Sequence, residues 1–423
     1  MGTRPLRMLQ RYVFWGNSLT NDSVGRLTFL VLRLLIFWPL SLVVSLVLGL
    51  ISHWRPVNIL IMRCNRSKIS FVIEDLEFEL RIQAHDRRLV AGLRRALNLA
   101  VLDTMPPNEA LTNAYGRTVR LYHAKHWLLM PTFRYALPLA GTRRVYMPNK
   151  RSDRSGVWAA EQPSTRLTSV ETIHSEGLLR TLGLDPSKPF VCYSIASPSY
   201  MKLLALRDHP PPPTVDSNEF VPNEHTLVSG IRLGLPADTP IVRMGQALEP
   251  LSSDLRDLVI DYSSVRTEIG DLFLARSCHF MIAGGSVGVW WLSAMANRPV
   301  LVTDLYALST TTPGNNDLFL PMIPLDRRTN EPLPISWIVA HPEWSQQRAI
   351  LRNTKIRHNT RDEIAAVVRE MWQRLGGEWL PPAGHEQRRL ALIELLSGQA
   401  KWRLRPDANM GADFLRDHED LLR

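Results

Sequence analysis

Cysteine is scarce in this chain of 423 residues: Cys64, Cys192 and Cys278 are all it has, with no Cys-x-x-Cys pair. An odd, widely spaced trio excludes a disulfide framework and a thiolate zinc site, and it fits a reducing compartment. Lysine is rare, 7 residues against 43 arginines, and 40 acids face 50 bases, which leaves a net charge of +10. That surplus sits at one end. Residues 1–68 hold Arg4, Arg7, Arg11, Arg26, Arg33, Arg55, Arg63, Arg66 and Lys68 against the single acid Asp22, a local +8 that leaves +2 for the other 355 residues. No basic stripe interleaved with aromatics remains to bind a polyanion, so nucleic acid is excluded as a partner. With 45% hydrophobic and 21% charged residues, the chain is neither disordered nor a many-pass membrane protein. No internal repeat is present.

One long apolar run is there. Residues 34–51 are 18 uncharged positions, preceded by an apolar stretch at 27–32 and interrupted only by Arg33. At 1.5 Å per residue that length spans roughly 27 Å, about a bilayer core. The run therefore reads as an N-terminal membrane helix within a leader-and-anchor segment, 1–55. Basic residues flank it on both sides, so the positive-inside rule does not fix its orientation, and Pro39 leaves open a re-entrant hairpin with both ends on one face.

Beyond the anchor, strand and helix patterns alternate, as in an α/β domain. Residues 58–64 and 97–102 read as strands. Residues 68–80 read as a helix, with Ile69, Val72, Ile73, Leu76 and Leu80 at helical spacing, and Pro107 opens another. A helix over 164–182 ends at Gly183 and closes a first domain, 56–185. In 186–345, strand-like runs at 190–195, 241–244, 258–262, 279–283 and 300–303 alternate with helices, the pattern of a parallel sheet covered on both faces. Residues 346–423 read as a helical C-terminal segment, with Ile364, Val367, Val368 and Met371 on one face.

The strongest chemical signal is Gly284-Gly285-Ser286-Val287-Gly288, which follows a strand and leads into a helix at once. Glycines admit close backbone approach, and the N–H groups of such a turn, with the Ser286 hydroxyl, suit a diphosphate. Upstream, Arg266 sits before a helix start, where an anionic ligand would favour it; pairing with Asp271 is the alternative. Arg243 ends a strand beside Gly245 and is placed to reach the same crevice. Glu268, Asp271 and Asp304 lie near it, each as much a cap or ribose acceptor as a catalytic base, with Asp271 and Glu268 the candidates for catalysis. Neither domain has an Asp-x-Asp sequence, and His123 and His126 have no carboxylate motif beside them, so no metal is expected.

On these residues a resemblance enters. The stretch 179–304 resembles a bacterial glycosyltransferase family found with surface-polysaccharide genes and distantly related to O-fucosyltransferase-like GT-B enzymes. Its landmarks, in order, are Leu182-Gly183-Leu184, Lys188-Pro189-Phe190-Val191-Cys192, Val242-Arg243-Met244-Gly245, Ile260-Asp261-Tyr262, Arg266, Asp271-Leu272-Phe273-Leu274 and Gly285-Ser286. Asn108-Glu109-Ala110-Leu111 resembles an upstream family element more weakly. The resemblance implies an α/β, GT-B-like fold of two Rossmann-like domains. It also implies a nucleotide-sugar held mainly by the second domain, near Arg243, Arg266, the glycine turn and Asp304, with no cofactor. One departure stands out. Where the family carries His-x-Arg-Asp followed by a tyrosine, this chain has Ser194-Ile195-Ala196-Ser197, with Tyr200 kept. A hydroxyl and a methyl do not replace a guanidinium's two-pronged grip on phosphate, and Lys202 or Arg207 would have to substitute. Two functions are therefore expected. One is a membrane-anchored, metal-independent glycosyltransferase at the bacterial inner membrane, its globular part cytoplasmic, moving a hexosyl or deoxyhexosyl group to a lipid-linked or surface-glycan acceptor. The other is a degenerate homologue serving as a membrane-tethered scaffold subunit.

Overall fold

Short apolar runs between helical segments become parallel strands. They do so in a computed structural model that describes residues 39–47, 50, 57–62, 69–89, 97–102, 108–123, 145–146, 156–199, 221–246, 249–285, 288–306, 308, 314, 316–341, 353–397 and 409–422. The chain divides into two units. One comprises 1–79, 86–107 and 112–149, and the other 80–85, 108–111 and 150–423.

In the first unit, β1 (Val57–Met62), β2 (Leu97–Leu102), β3 (Arg120–His123) and β4 (Val145–Tyr146) form a parallel sheet in the order β3-β2-β1-β4. The helix expected over 68–80 is a composite: an α-helical turn, Ile69–Val72, passes into a π-helical turn, Ile73–Glu77, and the α-helix resumes at Phe78 and runs to Leu89. Where the π turn ends, the buried Glu77 carboxylate accepts a hydrogen bond from Tyr115 Oη at 3.0 Å. Of the apolar run 34–51, residues 39–47 and Leu50 are described, and the rest of the expected membrane helix lies outside the described residues. Among the described residues no helix is long and apolar enough to cross a membrane. The piece that is seen starts at Pro39, and it is inside out. Ser41 and Ser45 are 0% and 7% exposed, with Ser45 Oγ donating to Ser41 O at 2.9 Å, while Leu40, Leu42, Val43, Leu46, Val47 and Leu50 face outward.

Among its described residues the second unit holds nine strands: β5 (Val191–Ile195), β6 (Ile241–Arg243), β7 (Ile260–Asp261), β8 (Met281–Gly284), β9 (Val300–Leu305), β10 (Leu318–Pro321), β11 (Ile323–Asp326), β12 (Thr354–Arg357) and β13 (Asn409–Met410). Seven make one parallel sheet, ordered β13-β10-β9-β8-β5-β6-β7, while β11 and β12 pair antiparallel. Every residue of β5, β8 and β9 is buried, which requires cover on both faces and explains their mostly apolar character.

Two helices behind this sheet pack with almost no gap. On the Glu224–Gly234 helix, a Cβ at Gly230 would lie 2.7 Å from Ile364 Cβ, and one at Gly234 would lie 2.5 Å from Ala365 O. The Arg361–Gly376 helix that it meets starts at a capping box, with Thr360 Oγ1 accepting from the Glu363 N–H and Glu363 accepting from the Thr360 N–H. The C-terminal segment expected to be wholly helical also contributes strands. β12 pairs with β11, and β13 adds to the sheet edge beside β10, with Leu318 opposite Asn409. A two-residue edge strand carries no alternation that could mark it in the sequence.

Candidate functional site

The chain leaves β5 for β6 and β7 on one side, then returns to build β8, β9, β10 and β13 on the other. Loops from neighbouring strand ends therefore diverge between β5 and β8, and such a switch point opens the crevice where open parallel sheets bind ligands. The glycine turn sits there. Gly284 pairs with Ile195 at the ends of the two strands, and a Cβ on it would come within 2.7 Å of Leu227 Cδ2. Gly285 adopts φ 77°, a left-handed backbone that favours glycine, with Pro222 beside it; its N–H donates to Thr303 O at 2.9 Å. Ser286 and Val287 lie outside the described residues, and Gly288 resumes the chain.

The helix after the turn is smaller than its sequence promises. Residues Trp290–Met295 span six positions behind Val289, whose side chain makes no cap, so few peptide dipoles add at its start. Its value is as an anchor. Trp290 stacks on Trp291 at 4.3 Å between centroids, and Trp158 meets Trp291 edge-on at 5.8 Å. The buried Arg81 guanidinium donates to Met295 O at 2.5 Å and to Asn297 Oδ1 at 2.6 Å, and Trp158 Nε1 donates to Ala294 O at 3.0 Å. The carbonyls at the helix end are thus satisfied, which holds the far side of the turn in place.

The expected cations are mostly spoken for. Ser194, Ile195, Ala196 and Ser197 are all buried and bring no positive charge to the crevice; Tyr200, Lys202 and Arg207 lie outside the described residues. Arg243, expected to point at the ligand, is held by carboxylates instead. Its Nε and Nη2 donate to Glu224 at 2.7 Å each, Nη2 also to Glu249 O at 2.8 Å, and Nη1 lies 3.4 Å from Asp261 Oδ2. Tyr193 Oη donates to the same Glu224 at 3.0 Å, and burial, then the Glu224 charge, raises its hydroxyl pKa. A guanidinium only 1% exposed needs such partners, and that need overrides the placement read from the strand end. Arg266 takes the alternative the sequence left open, giving Nη2 to Asp271 Oδ2 at 2.5 Å.

Among the carboxylates, Glu268 caps rather than faces the crevice: its Oε2 accepts from the N–H groups of Glu109 at 2.6 Å and Ala110 at 3.2 Å. Asp271 lies in the first turn of the Glu268–Ser277 helix, its Oδ1 buried with no hydrogen-bond partner among the described residues. Burial raises its pKa to about 6 against the opposing pull of Arg266. Asp304 is the residue that the fold singles out. It follows Thr303, the acceptor for Gly285, and holds φ 52°, rare for a residue with a Cβ. Its side chain is buried, and Oδ1 accepts from the Asn359 N–H at 2.9 Å and lies 3.0 Å from His358 Nδ1, while Asn359 Oδ1 accepts the Asp304 N–H at 2.6 Å.

The Asp304–His358 pair was not foreseen. In sequence His358 is only a polar residue ahead of a capping box, and nothing there links it to an aspartate 54 positions earlier. Through Asp304 it is placed one strand from the glycine turn, with a third of its side chain exposed. A carboxylate on Nδ1 fixes the imidazole's tautomer and orientation, the arrangement that prepares Nε2 for proton transfer.

No family model and no curated relative matches the chain. Three solved structures overlap it. The ADP-heptose lipopolysaccharide heptosyltransferase II of E. coli is 13% identical over 62% of this chain and 90% of its own, with a TM-score of 0.37. A glycosyl transferase family 9 protein of Veillonella parvula is 10% identical over 61% and 83%, at 0.32. The dodecameric iron-containing heptosyltransferase TibC, solved with ADP-D-β-D-heptose, is 11% identical over 61% and 60%, at 0.31. Overlaps of this size assign nothing to the chain.

Proposed function

We propose that this chain is a glycosyltransferase that draws its sugar from a nucleotide-sugar bound at the carboxyl ends of β5, β8 and β9. One observation carries this: the glycine turn lies at the switch point of the parallel sheet, with the buried, backbone-strained Asp304 and its partner His358 one strand away. The donor diphosphate lies against the turn at 284–288, where backbone can approach it closely. His358 takes the proton from the acceptor hydroxyl as that oxygen bonds to the anomeric carbon. The bond from that carbon to the diphosphate oxygen breaks, and the nucleoside diphosphate leaves with the electron pair. Asp304 holds Nδ1–H and stabilises the imidazolium that forms. With no Asp-x-Asp sequence in either central domain, the leaving charge falls to backbone N–H groups and not to a divalent cation.

The protein works at a membrane, on a lipid-linked or glycan acceptor. In water, a helix that buries Ser41 and Ser45 and exposes Leu42, Val43, Leu46 and Val47 has its pattern reversed; against lipid the pattern is correct, and the small serines allow close helix packing. The basic residues of 1–68 would then meet anionic headgroups.

Alternatively, the chain is a catalytically silent homologue that binds a nucleotide-sugar as part of a membrane assembly. The neutral, buried Ser194–Ser197 positions and the carboxylate-bound Arg243 favour this, since both withdraw cations from the diphosphate.

Calorimetry of the full chain in detergent with UDP, GDP, ADP and CMP tests the site. One nucleotide is expected to bind, and Gly285→Val, strained at φ 77°, is expected to abolish it. His358→Ala should keep that affinity within about threefold and lower turnover by about 10²–10⁴. No binding by any nucleotide would end the donor-site proposal, while binding without turnover of any sugar nucleotide would select the silent homologue.

A further inference from the structure

A cavity of about 370 Å³ lies where the His385–Ser397 helix begins, lined by Arg374, Trp379, His385, Glu386, Arg389 and Asn409, among others. Its walls are polar and apolar in about equal measure, and its cations are held in fixed positions. Arg374 lies 3.6 Å above the Trp379 ring and is tied to the buried Glu370, Nε donating to Oε1 at 2.8 Å. Arg389 donates to both carboxylate oxygens of Glu386, at 2.9 and 2.8 Å.

The helix start is open. The His385 N–H closes on Pro382 O and the Arg388 N–H on Gly384 O, but those of Glu386 and Gln387, in the first turn of a 13-residue helix, have no acceptor among the described residues. A separate observation concerns His385 itself, which is only 7% exposed. His385 is among the lining residues, and its Nδ1 is buried with no hydrogen-bond partner among the described residues. A ring nitrogen removed from water without a partner is destabilising, a cost that a ligand atom would remove. At the rim, Leu380, between Trp379 and Pro381, is 84% exposed.

We infer that this cavity binds a phosphate group. The two open N–H groups meet its oxygens, as helix starts do for phosphate. Arg389 turns from Glu386 to the stronger anion, Arg374 adds positive charge from the Trp379 side, and His385 Nδ1 donates to an oxygen. Glu386 is more than half exposed and swings into solvent as the phosphate enters. The group belongs to a free phosphate compound or to a lipid headgroup, and the exposed Leu380 would suit the lipid.

Two titrations of the full chain in detergent test this, one with inorganic pyrophosphate and one with lipid nanodiscs of phosphatidylglycerol against phosphatidylcholine. Binding of pyrophosphate or of the anionic lipid is expected. It should weaken about tenfold or more in Arg389→Ala and tighten in Glu386→Gln, which removes the competing carboxylate. Each variant is checked for an unchanged melting temperature. Pyrophosphate binding alone would assign a soluble ligand, and binding only to phosphatidylglycerol a headgroup. If neither probe binds, or if binding ignores both variants, the inference fails. Because Arg374 also supports the fold through Glu370, it is not used as the test.

Discussion

Asp271 shows how a single buried carboxylate is tuned in this fold. Burial raises its pKa from 3.8 to about 6, and Arg266 only partly opposes that. Its folded pKa lies above its unfolded one, so its stabilising contribution is complete below about pH 4 and is lost as pH rises through 6. Asp271→Asn is expected to flatten stability across that window and to equal or exceed the parent at pH 7.5, read from urea midpoints at pH 4.5, 6 and 7.5. An unchanged slope would refute it. Glu363 runs the other way. Burial raises its pKa, but hydrogen bonds with His418, Arg357 and the Thr360 N–H outweigh that and hold it at about 2. Its contribution is present above about pH 4.5 and disappears as pH falls towards 2. Glu363→Gln should cost about 1–2 kcal/mol at pH 7, discounted for partial exposure, with the deficit shrinking in acid.

Among the elements, the Glu224–Gly234 and Arg361–Gly376 helices carry the sharpest constraint. A methyl at Gly234 would sit 2.5 Å from the Ala365 carbonyl oxygen, a backbone atom that cannot turn aside. Gly234→Ala is expected to destabilise by about 1–3 kcal/mol despite the better helix propensity of alanine, seen as a lower melting temperature; Gly177→Ala, in open space on another helix, is the control. Much of this scale was legible. The strands at 190–195, 241–244 and 300–303 were readable because a buried parallel strand is a short, mostly apolar run. The run 258–262 shortens to the two residues of β7, and the π turn Ile73–Glu77 and β13 were not legible, because one turn or two residues show no period. At the site, the glycine turn was visible for its composition, whereas the fate of Arg243 depended on Glu224, Glu249 and Asp261, which only folding brings to it.

At the scale of the whole molecule, the proposed membrane role rests on the apolar run. Replacing Leu42, Val43, Leu46 and Val47 together by asparagine is expected to move the protein from the membrane pellet towards the supernatant on fractionation. Each polar residue at a helix centre in a bilayer costs on the order of 1–3 kcal/mol. If the variant still pellets in full, the exposed face of residues 39–47 is not the anchor. The sequence by itself determined the α/β class, the glycine turn after a strand, the charge confined to 1–68 and the long apolar run. These depend on neighbours in the chain, whose periodicity and composition follow from local geometry. The tertiary structure alone decided the strand order that puts the turn at a switch point, the pairing of Asp304 with His358, and the open helix start beside the buried His385. Contacts between residues 50 or more positions apart leave no trace in local periodicity. They exist because buried polar groups must find partners, and which partners are within reach depends on how the sheet closes around its core.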